Sequence, residues 1–270
     1  MTVLDFRSRF GFRTTPFSRE LTVEQRFTLG FFEECLVALL RAVEQRMSAA
    51  LVAPAGTGKT ALLRALVQAL PEARYRTRYV KVTGLSKRDM CREIAVACGA
   101  EPAGSYPMLV RRLQERFVAV TATEGVRPVL ILDEAHDLRP DVLDMIRIIT
   151  NFEMDSRLVV SVILAGQTPL RELLGRDAHE AVTRRLAHLA TLRVLSRDEG
   201  NAYVTHRCTI AGATSVPFDA AALDALYEIA RGNLRATDQL AYKALELAHD
   251  AGAAVATSNT VAQARKVLWP

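Results

Sequence analysis

Cysteine is scarce in this sequence and is not arranged for metal binding. The 270 residues contain four cysteines, none in a C-x-x-C pair and none beside a histidine cluster. This spacing excludes the common zinc-ligand patterns. We expect buried free thiols, which are typical of proteins in a reducing cytosol. The four are Cys35, Cys91, Cys98 and Cys208.

Long apolar runs are missing too. The longest mainly apolar stretch, Leu158–Ala165, is far shorter than the roughly 20 residues that a helix needs to span a bilayer. The charged residues Asp5, Arg7 and Arg9 near the start of the chain do not fit a secretory signal. We therefore expect a cytoplasmic globular protein without a membrane anchor.

Acidic residues do not dominate the charge. Lys and Arg number 35 against 30 Asp and Glu, which gives a formal net charge of +5. This mild basic excess fits a nucleic-acid partner, but many ordinary enzymes share it. Charge alone therefore leaves both possibilities open.

Hydrophobic patterning divides the chain into three predicted parts: an arm over residues 1–22, an α/β domain over 23–195 and a small all-helical lid over 196–270. Apolar runs such as Val129–Leu132 are typical of strands buried on both faces of a parallel sheet, and they alternate with helical patterns. After about Ser196 only alanine-rich helical patterns remain. The predicted strands are Ala49–Ala53, Tyr79–Thr83, Val129–Leu132, Leu158–Ala165 and Ala187–Leu195.

A glycine-rich turn follows the first predicted strand. Residues 53–60 match the phosphate-binding pattern G-x-x-x-x-G-K-[ST], except that Ala53 replaces the first glycine. Backbone N–H groups of such a turn curl around phosphates, and the following helix directs its positive end at the anion. Lys59 adds a positive charge and Thr60 a hydroxyl for Mg²⁺. The predicted nucleotide contacts are Pro54, Ala55, Gly56, Thr57, Gly58, Lys59 and Thr60.

Two acids follow the buried run Val129–Leu132. Asp133 is placed to hold Mg²⁺ through water, and Glu134 is placed to act as general base on the attacking water. Glu134 comes about 75 residues after Lys59. The letters from Asp133 to His136 also spell a helicase box, but such a helicase needs two of these domains. We therefore interpret His136 as incidental to the chemistry, and its position near the site stays open.

Three later positions complete the candidate site. Gln167, after the run Val162–Gly166, is the candidate sensor of the γ-phosphate. Arg184 and Arg185 precede the last strand, and we favour Arg185 as the arginine that reaches a neighbouring subunit's nucleotide. Arg235, in the segment Ala230–Arg235 of the lid, is expected to fold back onto the phosphates.

The order of these motifs resembles the ExeA-type branch of the AAA+ ATPases. The N-terminal F-G-F-x-x-x-P-F, from Phe10 to Phe17, is similar to the opening of that branch. The resemblance implies a P-loop AAA+ three-layer sandwich with a parallel five-stranded sheet, a helical lid, and ATP with Mg²⁺ as cofactors. It also implies an oligomer, either a ring or a filament.

The branch implies two biological settings. ExeA itself is a secretion ATPase that carries a transmembrane segment and a periplasmic extension, and we expect neither in this chain. The second setting is DNA transposition, in which ATPases of the TnsC, TniB, IstB and MuB type bind DNA and recruit a transposase. The length and basic character favour this second setting. A nucleotide-switched scaffold protein that barely hydrolyses ATP is a third alternative, which Glu134 argues against.

Basic residues concentrate after the predicted second strand, in elements expected to face the channel of an oligomer. They would contact duplex DNA phosphates without sequence preference. A solvated arginine-rich face is the alternative interpretation. The predicted DNA contacts are Thr83, Lys87, Arg88, Arg111 and Arg112.

Overall fold

The computed structural model describes residues 6–269, so residues 1–5 of the predicted arm and Pro270 lie outside the described residues. The chain divides into two compact units. One unit, the α/β unit, comprises Leu29–Pro54 and Lys59–Leu192. The other, the lid unit, comprises residues 6–28, the short segment Ala55–Gly58 and residues 193–269.

The α/β unit contains a five-stranded sheet in the order β2-β3-β4-β1-β5. Every neighbouring pair is parallel, as the predicted fold requires. The strands are β1 Ser48–Val52, β2 Tyr75–Lys81, β3 Arg127–Asp133, β4 Ser161–Gly166 and β5 Leu186–Thr191.

Burial along the strands follows their place in the sheet. The central strand β4 is buried at every residue, and β3 is buried from Pro128 to Asp133. Strand β2 lies at the edge and alternates in exposure, with Val80 buried and Tyr79 about half exposed. The strand was predicted at Tyr79–Thr83, so its predicted start is four residues late, because the first half of β2 is rich in arginine and does not look apolar. Thr83 therefore follows the strand rather than ending it.

Helices cover both faces of the sheet. The helices α4, α5 and α6 pack with Val80, Leu130 and Leu164 in one apolar core, while α2 contacts β1, β4 and β5. The helices of this unit are α2 Gly30–Glu44, α3 Lys59–Ala69, α4 Lys87–Cys98, α5 Tyr106–Thr123, α6 Pro140–Ile149, α7 Pro169–Leu174 and α8 Glu180–Thr183.

The lid unit is helical, as predicted, and its long helices begin with side-chain caps. Ser196, Asp219, Asn233 and Thr257 each accept a hydrogen bond from a backbone N–H in the first turn of the helix that follows. The helices are α1 Phe6–Arg9, α9 Arg197–Ile210, α10 Ala220–Ala230, α11 Leu234–Asp250 and α12 Ser258–Leu268.

The described part of the N-terminal arm belongs to the lid unit. Phe6, Phe10, Phe12 and Phe17 are buried in the same core as the helices α9 to α12. The backbone N–H of Arg13 donates to the carbonyl of Ala211 at 2.8 Å. The sequence suggested a separate arm, because a short aromatic segment does not reveal which distant helices will bury it.

A polar cluster lies inside this unit. The guanidinium of Arg207, whose residue is 2% exposed, donates to Asp238 at 2.9 Å, to the Tyr203 hydroxyl at 2.8 Å and to the Ser18 carbonyl. Burial raises the pKa of Asp238 to about 6, against the opposing effect of Arg207. The cluster therefore ties the arm to α9 and α11 by polar contacts, although Arg207 Nε is buried without a hydrogen-bond partner among the described residues.

Within residues 6–269, no helix combines the length and the apolar character that a membrane crossing needs.

The prediction of buried free thiols is confirmed, since all four cysteines are buried and unpaired. Burial raises the pKa of Cys91 and of Cys98 to about 11 and that of Cys208 to about 12. Thiolate is the reactive form.

We expect iodoacetamide at pH 8 to label no cysteine in the folded chain and all four in denaturant, as counted by mass spectrometry. Rapid labelling of the folded chain would contradict this assignment.

Candidate active site

The glycine-rich turn joins β1 to the start of α3. Gly56 and Gly58 have φ values of 77° and 96°, in the left-handed region that favours glycine, and Lys59 is the first residue of α3. Ala53 is fully buried, has no left-handed backbone, and donates its N–H to the Gly166 carbonyl at 3.0 Å. The alanine at this position is therefore accommodated without strain.

The buried side chain of Lys59 forms ion pairs with two carboxylates of the α/β unit. Its Nζ lies 2.5 Å from Asp133 Oδ1 and 2.9 Å from Glu134 Oε1. Lys59 and Asp133 are 9% and 3% exposed. The structure thus brings the predicted lysine and both predicted acids together, at the end of β3 and the start of α3.

Asp133 has a further partner that the sequence did not indicate. The Tyr79 hydroxyl donates to Asp133 Oδ2 at 2.9 Å, and the Glu134 backbone N–H donates to Oδ1 at 2.8 Å. Burial raises the pKa of Tyr79 to about 12, and the adjacent Asp133 adds to the effect. The phenol therefore stays protonated and fixes the orientation of the Asp133 carboxylate.

Glu134 has an unusual backbone conformation. Its φ and ψ are 57° and 34°, a left-handed conformation that is costly for a residue with a side chain and that clusters at functional sites. Its Oε1 contacts Lys59, while Oε2 is buried without a hydrogen-bond partner among the described residues. An unpaired buried carboxylate oxygen suits a base that binds water.

His136 lies between the predicted base and the predicted sensor. Its Nδ1 accepts a hydrogen bond from the Gln167 backbone N–H at 3.3 Å and lies 3.5 Å from Glu134 Oε2. The sequence interpretation left a position near the site open for His136 but assigned the residue no role. Its contact with Gln167 depends on the neighbouring strand β4, which the local sequence pattern does not show.

The two paired arginines differ in their surroundings. Arg185 donates to Asp155 at 2.5 Å and more weakly to the Arg147 carbonyl and Thr150 Oγ1, within its own α/β unit. Arg184 pairs with Glu180 at 2.6 Å, and its side chain is 78% exposed. A role for either arginine at a neighbouring subunit stays a prediction. For that role, Arg185 must first break its contact with Asp155.

In the lid unit, the segment that contains Arg235 contacts residues 55–58. The Arg235 backbone N–H donates to the Gly56 carbonyl at 3.2 Å, and its side chain is exposed. Asn233 Nδ2 donates to the Ala55 carbonyl at 2.6 Å. The sequence singled out Arg235 in this segment but missed Asn233.

Three of the five predicted DNA contacts lie around one loop of the α/β unit. Arg88 and Arg112 donate to the carbonyls of Gly104 and Ala103, and Lys87 lies over the Tyr106 ring, 5.2 Å from its centroid. We call Lys87, Arg88 and Arg112 the α4–α5 basic cluster. These contacts are to neutral groups, so they leave the positive charges uncompensated.

The other two predicted DNA contacts differ. Arg111 forms an ion pair with Glu115 at 2.8 Å, which offsets its charge. Thr83 is exposed in the segment after β2, and no contact joins it to the basic cluster in the described part of the chain.

The acids at the site do not form a complete metal site by themselves. Among the described residues, no three His, Cys, Asp or Glu side chains cluster as metal ligands. Asp133, and Thr60 at the start of α3, supply oxygen atoms only. This donor set fits Mg²⁺, which in proteins commonly uses one or two carboxylates and takes its other ligands from water and substrate phosphates.

The sheet order, the glycine turn before α3 and the acids after β3 together define a P-loop protein of AAA+ fold. Comparison with family models agrees, since residues 41–174 match the family described as AAA domain. Residues 41–174, just under half of the chain, are therefore similar to an AAA domain.

Among curated proteins, the chain is 30% identical over 195 residues to General secretion pathway protein A of Aeromonas hydrophila. The alignment covers 70% of this chain and 35% of that protein. The chain thus spans about a third of the length of this relative. The similarity agrees with the predicted ExeA-type resemblance.

Solved structures share the fold at low sequence identity. Cdc6p of Pyrobaculum aerophilum superimposes with a TM-score of 0.73 at 17% identity, covering 93% of this chain and 69% of that one. The ORC1 protein of Aeropyrum pernix in complex with DNA gives 0.70 at 19%, covering 95% and 70%. The RuvB branch migration motor of Thermotoga maritima gives 0.63 at 18%, covering 93% and 73%.

Gly166 offers a test of the close packing behind the site. A Cβ at this position would lie 2.9 Å from the His136 backbone nitrogen and 3.0 Å from Leu170 Cδ2. We expect Gly166→Ala to lower the free energy of unfolding by about 1–3 kcal/mol, because the end of β4 must move from the segment after β3. Urea denaturation measures the effect.

The matched control is Gly30→Ala. Gly30 begins α2, and a Cβ there would meet no atom within 4 Å. We expect its unfolding midpoint to stay at or slightly above that of the wild type. Equal midpoints for the two alanine variants would contradict the packing described for Gly166.

Proposed function

We propose that this chain is a Mg²⁺-dependent ATP hydrolase whose ATP-bound form assembles as an oligomer on duplex DNA. The observation that carries the hydrolase assignment is the position of Lys59 between Asp133 and Glu134, at the start of the helix after the phosphate-binding turn. The turn and the helix end bind anions, and the acids supply a metal ligand and a base.

In this proposal, Lys59 exchanges its contacts with the two acids for the β- and γ-phosphates. Glu134 then uses a carboxylate oxygen to orient and deprotonate the attacking water, while Gln167 contacts the γ-phosphate. Thr60 and Asp133 would hold Mg²⁺, which neutralises phosphate charge when bound. Tyr79 keeps the Asp133 carboxylate in a fixed orientation for that purpose.

Replacing the base tests the hydrolase assignment. We expect Glu134→Gln to reduce ATP turnover about 100-fold or more, because the amide cannot accept the water proton. Binding of ATP should be retained, since the phosphate turn and Lys59 are unchanged. A phosphate-release assay and a titration with a fluorescent ATP analogue measure the two quantities.

The control variant is Glu101→Gln, an exposed glutamate outside the site, which should hydrolyse ATP at the wild-type rate. Unchanged hydrolysis by Glu134→Gln would show that Glu134 is not the base. A wild-type chain that binds ATP without hydrolysing it would favour the alternative of a nucleotide-switched scaffold.

DNA binding is assigned to the α4–α5 basic cluster. Lys87 and Arg88 are exposed, Arg112 is half-buried, and none of the three positive charges has an acidic partner among the described residues. Such groups bind phosphates without sequence preference. The solved ORC1 protein of the same fold was captured with DNA, which supports a DNA partner for this architecture. That the assembled form recruits or activates a transposase stays a prediction from the resemblance.

The DNA assignment predicts a salt-dependent loss of affinity. We expect Arg88→Ala/Arg112→Ala to weaken binding to non-specific duplex DNA in the presence of a non-hydrolysable ATP analogue. The slope of log K against log salt should fall by about 2, because each lost phosphate contact removes about 0.9. Fluorescence anisotropy over a salt series measures both quantities.

The control is Arg139→Ala/Arg157→Ala, which removes the same charge from residues paired with Asp141 and Glu153. We expect wild-type DNA affinity for it. Equal losses in the two double variants would show that only net charge matters, and a wild type without analogue-dependent DNA binding would contradict the DNA assignment.

The second candidate function is an ATPase of a secretion or envelope-assembly system. The curated relative General secretion pathway protein A favours it, at 30% identity over 195 residues. This candidate keeps the same hydrolase site but replaces DNA with a protein or envelope partner. It predicts that duplex DNA neither stimulates ATP hydrolysis nor is needed for it. It also predicts that the chain is recovered with the membrane fraction of its source cells.

A further inference from the structure

Asn233 sits at a tight junction in the lid unit. Helix α10 ends at Ala230, and the two residues that separate it from Asn233 have left-handed backbones. These are Arg231, with a φ of 51°, and Gly232, with a φ of 73°. A Cβ on Gly232 would lie 2.1 Å from the Leu195 carbonyl oxygen, and the Leu195 N–H donates to the Gly232 carbonyl at 3.0 Å. The position of Asn233 is therefore fixed by backbone packing.

The Asn233 side chain uses both ends of its amide. Its Oδ1 accepts from the Ala236 N–H at 3.0 Å and so caps α11. Its Nδ2 donates to the Ala55 carbonyl at 2.6 Å. One uncharged side chain thus begins a helix and holds the phosphate-binding turn.

A second hydrogen bond acts next to the first. The Arg235 N–H, which the helix leaves without an internal partner, donates to the Gly56 carbonyl at 3.2 Å. Two consecutive carbonyls of the turn are therefore bound to the start of α11. A phosphate-binding turn needs its carbonyls directed away from the anion so that its N–H groups can converge on it.

Gly56 shows how closely the two segments approach. A Cβ on Gly56 would lie 2.4 Å from Asn233 Oδ1 and 2.8 Å from Nδ2. The Asn233 amide occupies the space that any larger residue at 56 would require. The glycine is needed here both for its positive φ and for this contact.

We propose that Asn233 is a positioning residue for nucleotide binding, because its amide donor holds the Ala55 carbonyl outward and thereby preorganises the phosphate-binding turn. The inference rests on the proposed nucleotide site and adds a residue to it. Serine and aspartate cap helices as well as asparagine does, but neither provides an amide donor. Only asparagine performs both tasks at this position.

The experiment separates the cap from the contact with the turn. Asn233→Ser retains an oxygen that caps α11 but loses the donor to Ala55. Asn233→Ala loses both. Asp219→Ala is the matched control, because Asp219 caps α10 through the Ala222 N–H at 2.6 Å, and its side chain makes no contact with the turn within the described chain. For each full-length variant, titration with a fluorescent ADP or ATP analogue gives Kd, and thermal denaturation without nucleotide gives Tm.

We expect Asn233→Ser to raise Kd about 3- to 10-fold, the usual effect of one lost hydrogen bond, with Tm close to that of the wild type. Asn233→Ala should raise Kd by a similar factor and also lower Tm. Asp219→Ala should lower Tm and leave Kd unchanged.

Two results would overturn the inference. One is a Kd for Asn233→Ser within twofold of the wild type. The other is a rise in Kd for Asp219→Ala as large as for Asn233→Ala, which would assign the effect to lid stability. A wild type that binds nucleotide without hydrolysing it contradicts the proposed hydrolase but leaves this comparison decisive, and a wild type that binds none overturns both.

Discussion

The rest of the site depends on one buried charge. Lys59 has two carboxylates within 3 Å, and removing a charged group from water is favourable only when close partners compensate it. Lys59 follows β1 by way of the glycine-rich turn, and the two acids lie at the end of β3, so both strands bring these groups to the same edge of the sheet. In the proposed function, a phosphate that binds Lys59 replaces these carboxylates as its partner, so anion binding frees Asp133 and Glu134 for their proposed roles. Tyr79 and the left-handed backbone of Glu134 keep both acids near their positions during that exchange.

The sequence predicts the fold well where structure is local. Unbroken apolar runs locate β3 and β4 because both faces of a central parallel strand are buried. The turn at residues 53–60 is recognisable because its glycines are required by backbone conformation. The edge strand β2 was placed four residues late, since its arginines at 76 and 78 suit a half-exposed edge but do not look apolar.

The candidate site was predicted in its motifs but not in its supporting contacts. Asp133 is recognisable from the strand before it, whereas its contact with Tyr79 arises only when β2 pairs with β3 in register. His136 is held by the backbone N–H of Gln167 after the neighbouring strand β4, and Asn233 contacts a turn nearly 180 residues away in the chain. Sequence spacing carries no information about such distances. The burial of the aromatic arm against α9 to α12 escaped prediction for the same reason.

That arm also has a consequence for how the protein is made. Arg9 donates to the carbonyl of Ala253, which lies 244 residues further along the chain. A contact of this separation forms only after residues 9–253 have all left the ribosome, and closing so long a loop is slow. The α/β unit lies entirely between these two residues, so it is synthesised completely before the lid unit can close. Until the helices α9 to α12 have been synthesised, the phenylalanines of the arm lack the core that buries them, and exposed apolar side chains are what chaperones bind.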